Sequence, residues 1–196
     1  MQDIEICVPK SLLAKAVSSL CSTGLYQLIE KDDYDIYTEY KRGCPTLAVA
    51  DSNLLVVIFP DAHFYLSPLH SSIISPEEIL HPAYSREIQD VVPVDEIRHL
   101  PVPHLPLYFI GLCRRYFESK DDMARISAEQ LVDGMQLDEE WVHINLSDAP
   151  RQVRELAVRL VAERQSPYEG LDFEVPDSTV DHDRIGQLRL IPGSGY

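Results

Sequence analysis

The residues that most suggest chemistry are Asp61, His63 and Tyr65, which alternate directly after an apolar run. Alternate residues of an extended strand point to the same face, so this spacing would project a carboxylate, an imidazole and a phenol into one space. Such a trio can position a substrate and move a proton near neutral pH, because histidine titrates there. A solvated sheet edge would carry the same pattern, and that alternative stays open.

Tyrosine is the second candidate, with ten tyrosines against five phenylalanines. Four of them cluster before the apolar run, namely Tyr26, Tyr34, Tyr37 and Tyr40. Tyrosine supplies an aromatic wall with a hydrogen-bonding tip, which suits a pocket for a hydrophobic ligand with few polar atoms. Ordinary tyrosines of a sheet are the alternative.

The standard cofactor and metal motifs are missing. The chain has no G-x-S-x-G elbow, no Walker loop and no dinucleotide fingerprint. His81 has no second ligand at a zinc spacing, and the four cysteines form no C-x-x-C pair. These features predict an activity without cofactor or metal, and reduced thiols in a cytoplasmic protein.

The charge balance narrows the class of partner. A net charge of −15 argues against binding to nucleic acid or to an anionic membrane surface, because both require a basic face. No apolar run approaches the roughly 20 residues that cross a bilayer, and the first residues lack a basic-then-apolar secretion signal. The partner predicted here is a hydrophobic small molecule. The sequence does not indicate an oligomeric state.

The order of strand-like and helix-like segments that must position these groups predicts an α+β domain over residues 1–165. We expect a short mixed β-sheet flanked by helices. Residues 54–59, LLVVIF, are apolar without alternation, which is typical of a central strand buried on both faces. Residues 35–42 and 61–66 are expected to be extended on either side of it. Residues 166–196 lose helical periodicity, and we expect an extension that wraps the surface or is partly disordered.

Residues 102–134 predict two helices joined at a charged corner. We expect the first to begin near Pro106 and the second to be capped by Ser119 and to end at Gly134. Arg114 and Arg115 lie side by side near the corner. The expected buried stripe of the first helix follows helical spacing, with Leu107, Ile110, Cys113 and Phe117.

Three segments together carry a resemblance over roughly residues 10–135: the apolar strand 54–59, the proline-rich entry 100–106, and Arg114-Arg115-Tyr116 ahead of Asp121-Asp122. Their order resembles the nucleotidyltransferase-like fold, and it is similar to uncharacterised small fungal proteins of that fold.

In that superfamily a Gly-Ser loop, a D-x-D pair and a third acid hold two magnesium ions for nucleotidyl transfer. The resemblance implies Asp33, Asp35 and Asp61 as those acids. Gly24 is followed by Leu25 and not by serine, which implies a degenerate member that keeps the cleft.

The leading hypothesis is a cofactor-independent isomerase or cyclase of fungal secondary metabolism, with a [4+2] cyclase as its concrete form. A metal-dependent nucleotidyltransferase and a non-catalytic binding module are the alternatives. The predicted catalytic residues, which would hydrogen-bond a carbonyl or a carboxylate of the substrate and preorganise a reactive conformer, are Tyr40, Arg42, His63, Tyr65 and Arg114. The predicted substrate-binding residues are Tyr26, Tyr37, Phe59 and Asp61. The hypothesis requires all of them to open onto one hollow.

Overall fold

The structure is a computed structural model that describes residues 3–75, 77–78, 93–97 and 99–165. The predicted extension and His81 lie outside these residues. The α+β class is confirmed, with a four-stranded mixed sheet in the order β1-β4-β3-β2. Its strands are β1 (Ile4–Val8), β2 (Tyr26–Ile29), β3 (Thr46–Val49) and β4 (Leu55–Pro60). β1 runs parallel to β4, whereas β3 runs antiparallel to both β4 and β2.

The prediction of a central strand is confirmed, because β4 lies between β1 and β3 and is buried on both faces. Val56 and Ile58 face one side and belong to the cluster that packs against α1 (Leu13–Ser22). Val57 and Phe59 face the other side and join the larger core, which the C-terminal helices supply. A strand covered on both faces has no polar side, so its sequence does not alternate.

The helices of the larger core are α3 (Leu105–Ser119), α4 (Asp122–Gly134), α5 (Glu139–Asn145) and α6 (Arg151–Gln165), which follow the short α2 (Val94–Ile97). α3 and α4 pack against each other, and α6 packs against α3, α4 and α5. The core face of α6 repeats at helical spacing through Val153, Leu156, Ala157, Leu160 and Val161, all of them buried. Among the described helices, none has both the length and the apolarity of a membrane span.

Two details of the predicted helix pair are wrong. Leu107 is 42% exposed, because the buried face of α3 is rotated to Leu105, Phe109 and Leu112. Ser119 is the last residue of α3 and not the cap of α4. Lys120 adopts a left-handed conformation that ends α3, and Asp121 becomes the N-cap by accepting from the N–H groups of Met123 and Ala124.

The two segments predicted to be extended instead contain 3₁₀ turns, at Glu39–Lys41 and Asp61–Phe64. In the first, the Asp35 carboxylate accepts from the backbone N–H groups of Tyr37 and Thr38 and closes a turn. In the second, the Asp61 carboxylate accepts from the backbone N–H of Lys10 at 3.0 Å. Each carboxylate accepts from backbone N–H groups, and these hydrogen bonds compete with those of a strand ladder.

Candidate functional site

An apolar chamber of about 550 Å³ opens beside β1, β4 and the start of α3. Its walls include Cys7, Phe59, Phe64, Leu66, Leu69 and Ile73. β1 and β4 bring Cys7 and Phe59 together, because these two residues are paired in the parallel register. The volume lies in the range of small-molecule sites, and such sites are mostly apolar with a few polar groups.

Glu5 and Tyr108 form the polar end of this chamber. Glu5 Oε1 accepts from the Tyr40 hydroxyl and lies 3.0 Å from Lys41 Nζ. Neither Glu5 Oε2 nor the Tyr108 hydroxyl has a hydrogen-bond partner within the described part of the chain. Burial raises the pKa of Tyr108, and the negative charge of Glu5 adds to that effect. The polar end therefore presents one free acceptor and one free donor.

An ion network holds the exposed Glu5 in place, and its other members, Lys41 and Asp3, have buried side chains. Lys41 is only 7% exposed, and its Nζ lies 2.8 Å from Asp3. Burial opposes the charged form of Lys41, but hydrogen bonds to Asp3 and Glu5 outweigh burial and raise its pKa. Burial, followed by the bond to Glu5, raises the pKa of Tyr40, so that phenol stays protonated. The carboxylate of Glu5 is thus held by two donors on one oxygen.

A second, polar cavity of about 30 Å³ shares Glu5, Phe64 and Tyr108 with the chamber. Arg115 lines it and is 7% exposed. Arg115 Nη2 donates to Asp121, whereas the buried Nη1 has no partner among the described atoms. A buried donor without a partner costs free energy, so Nη1 marks a place where a water or a ligand oxygen would be stabilised.

His63 lies behind Phe59 and Phe64, with its ring centroid 4.6 Å and 4.8 Å from theirs. Its Nε2 is buried, and no described residue bonds to it. Burial, followed by the positive charge of Arg115, lowers the pKa of His63 to about 4. The imidazole is therefore neutral at pH 7 and packs as an aromatic ring.

This burial predicts a pH dependence of stability. The folded chain protonates His63 only near pH 4, whereas an unfolded histidine binds its proton near its ordinary value of 6.5. The unfolded chain binds more protons between these values, so stability falls as pH drops from about 6.5 to about 4. We expect His63→Phe to remove much of this slope in urea unfolding at several pH values. His70→Phe, at an exposed position, is the control, and an equal slope in both variants would contradict the assignment.

The structure gathers only some of the predicted site residues. Tyr40, Phe59 and His63 form one aromatic cluster, in which Tyr40 stacks on Phe59 at 6.0 Å. Tyr65 and Arg114 pair elsewhere, with the guanidinium 4.1 Å above the ring and both side chains bonded to the exposed Glu118.

The other predicted residues lie apart from the chamber. Arg42 is exposed, pairs with Glu39, and lines a groove with Tyr34 beside α1. Tyr26 packs with the cluster on the α1 face of the sheet, and Tyr37 is 59% exposed. The expectation of a single hollow is wrong for these residues. The segment that carries Tyr37 and Arg42 is a turn and not the assumed strand, and Tyr26 lies on β2 and packs on the other face of the sheet.

Asp61 is buried, but it serves the turn and not the chamber, because its carboxylate accepts from Lys10 and Ala62. Asp35 likewise closes its own turn. Within the described ranges, no three histidine, cysteine, aspartate or glutamate side chains form a group that could hold a metal ion. Asp33, Asp35 and Asp61 are therefore not assembled as the metal-binding acids of a nucleotidyltransferase.

Sequence reasoning missed Glu5, Tyr108 and Arg115. Tyr108, Leu112 and Arg115 are separated by four and three residues, a spacing that places them on one face of α3. That spacing could have selected Arg115 over Arg114. No local pattern marks Glu5, because its partners Tyr40 and Lys41 come from a turn more than thirty residues away in the sequence.

Comparisons of the chain with protein-family models, with curated proteins and with solved structures found no match. The function proposed below is therefore supported by the geometry of the site.

Proposed function

We propose that the protein is a cofactor-independent isomerase or cyclase that acts on a hydrophobic small molecule in the apolar chamber. The observation that carries this proposal is an apolar chamber whose polar end offers, among the described residues, the Tyr108 hydroxyl as a donor and Glu5 Oε2 as an acceptor without protein partners. Such a site holds an apolar skeleton away from water and orients it through a few polar contacts.

The chemistry proposed is a rearrangement in which no atom or electron is exchanged with a partner. In its concrete form, an intramolecular [4+2] cyclisation, the π electrons of a diene and an alkene form two carbon–carbon bonds and one new double bond. The chamber walls would hold the chain in the reactive conformer, and orientation of this kind lowers a barrier by several kcal/mol. The Tyr108 hydroxyl would donate to a carbonyl conjugated with the alkene and polarise it.

Tyr108→Phe tests this role. We expect the rate of product formation to fall by about fivefold, because one hydrogen bond to a carbonyl contributes about 1 kcal/mol. Substrate binding should change little, since the ring that lines the chamber remains. The measurement is conversion of candidate linear precursors, followed by chromatography and mass spectrometry, with and without EDTA.

Tyr37→Phe is the matched control, because this tyrosine is exposed and away from the chamber. We expect it to keep the parent rate, and we expect EDTA to have no effect. Saturable binding without conversion of any precursor would contradict the enzyme hypothesis and favour the non-catalytic binding module. A rate that EDTA abolishes would favour metal-dependent chemistry instead.

We also propose that the scaffold is a degenerate nucleotidyltransferase-like fold. A mixed sheet covered by helices on both faces is compatible with it. Calorimetry with nucleotides and magnesium tests whether transferase chemistry persists. We expect no heat of binding, because Asp35 and Asp61 are engaged in their own turns.

A further inference from the structure

The polar end of the apolar chamber has a defined hydrogen-bonding pattern. Among the described residues, the Tyr108 hydroxyl is a donor without a protein partner, and Arg115 lines the adjoining small cavity. Within the described ranges Glu5 Oε2 is an acceptor without a partner, because the contacts from Tyr40 and Lys41 both go to Oε1. A complementary ligand has an acceptor and a donor close together, since a ligand that lacks either one forgoes one hydrogen bond to the protein.

The part of the site that would receive the acceptor of the ligand extends beyond Tyr108. The small cavity has a volume of about 30 Å³, which is room for one water molecule or one ligand oxygen. Arg115 is held there by Asp121 and by the faces of Phe64 and Tyr40, with its guanidinium 5.3 Å and 5.9 Å from the ring centroids. A carbonyl oxygen of the ligand at this junction would be stabilised by a hydrogen bond from Tyr108 and by the nearby positive charge of Arg115.

The charges around the site disfavour an anionic head group. Three carboxylates, those of Asp3, Glu5 and Asp121, face two basic groups, those of Lys41 and Arg115. Each basic group already has a carboxylate partner, so a carboxylate on the ligand would meet an excess of negative charge in a partly desolvated place. The chain as a whole carries a net charge of −15, which adds to this repulsion.

We infer that the ligand is an uncharged molecule with a hydrophobic tail and a secondary amide or lactam edge. Its carbonyl oxygen accepts from Tyr108, and its N–H donates to Glu5 Oε2. The inference rests on the proposed function, because it assumes that the apolar chamber is the binding site, and it specifies the head group that the chamber selects.

A matched ligand pair tests this inference without altering the protein. γ-Octyl-γ-butyrolactam and γ-octyl-γ-butyrolactone differ only by the replacement of N–H with oxygen. We expect the lactam to bind about tenfold more tightly in calorimetry at pH 7.5, because a hydrogen bond to a carboxylate is then made only by the lactam. The N-methyl lactam should bind like the lactone. Dodecanoate should bind more weakly than the lactam because carboxylates surround the site, and dodecylamine because its ammonium group offers no acceptor to the Tyr108 hydroxyl.

Glu5→Gln should reduce the preference for lactam over lactone to about twofold or less, because glutamine is a weaker acceptor than a carboxylate. Glu30→Gln is the matched control, since it removes the same charge from an exposed carboxylate outside the chamber, and it should keep the preference. The midpoint of thermal unfolding of each variant shows whether it is folded. The lactam pair still decides the question if Glu5→Gln does not fold.

The outcomes separate the two proposals. If lactam and lactone bind equally, or if the anion or the cation binds most tightly, the inferred head group is overturned while the chamber remains a binding site. If no member of the series binds, the apolar chamber is not a site for hydrophobic small molecules, and both proposals are overturned.

Discussion

Gly111→Ala is expected to lower the free energy of unfolding by about 3 kcal/mol. A β-carbon at Gly111 would lie 2.0 Å from the carbonyl oxygen of Phe64 and 3.0 Å from its carbonyl carbon. These are backbone atoms of the turn Asp61–Phe64, which is held by Asp61 and cannot rotate away as a side chain would. The turn and α3 must therefore separate, and the core that they share is disrupted. Urea unfolding at pH 7.5 measures the change.

Gly134→Ala is the matched control for this prediction. Gly134 is the last residue of α4, and a β-carbon there meets no atom within 4 Å. Alanine also has the higher helix propensity, so this variant is expected to be neutral or slightly stabilising. If Gly111→Ala proved as stable as Gly134→Ala, the close approach of the turn to α3 would be wrong. Because Phe64 lines the chamber, ligand binding should weaken together with stability only in Gly111→Ala.

Asp121→Asn is expected to lower the free energy of unfolding by about 3 kcal/mol, because it leaves the buried guanidinium of Arg115 without its counter-charge. The ion pair is largely removed from water, with side-chain exposures of 9% for Arg115 and 13% for Asp121. Asparagine is as good an N-cap as aspartate, so the hydrogen bonds to Met123 and Ala124 can be kept. The loss of stability in Asp121→Asn therefore measures the contribution of the ion pair and not that of the N-cap hydrogen bonds.

Asp138→Asn provides the control for the capping role. Asp138 caps α5 by accepting from the backbone N–H of Trp141 at 2.7 Å, and it is exposed. We expect this substitution to change stability by less than about 0.5 kcal/mol. The double variant Arg115→Met and Asp121→Asn should recover part of the loss, since it buries no unpaired charge. Equal losses for Asp121→Asn and Asp138→Asn would mean that the buried ion pair contributes little.

The sequence was sufficient for elements whose signal is continuous and local. Residues 54–59 are apolar without alternation, and only burial on two faces accommodates such a strand, so its central position could be predicted. The apolar stripe of α6 is a signal of the same kind, because Val153, Leu156 and Leu160 recur at helical spacing and are buried. Burial of a helix face or of a strand requires apolar residues at a regular spacing, and regular spacing is visible in one dimension.

Two turns were predicted to be strands, because in each of them the conformation depends on the hydrogen bonds of a single side chain. Residues 35–42 contain tyrosine and threonine, which favour strands, but the Asp35 carboxylate closes a turn there. After β4, the Asp61 carboxylate holds the next turn by accepting from the backbone N–H of Lys10, which is 51 residues away in the sequence. A hydrogen bond over that separation leaves no trace in the local pattern, so the alternation of Asp61, His63 and Tyr65 suggested a common face that the turn removes.

The site itself was decided by contacts between distant segments. Composition and charge were enough to favour an apolar ligand, because they describe the whole chain and do not depend on its path. Glu5 contacts Tyr40 and Lys41 because β1 pairs in parallel with β4. Tyr108 and Arg115 line the same small cavity as Glu5 because α3 is rotated so that they face the sheet. Those two features are set by packing over the whole core. A rotation of α3 by one residue would have turned Arg114 inward and left Arg115 in water.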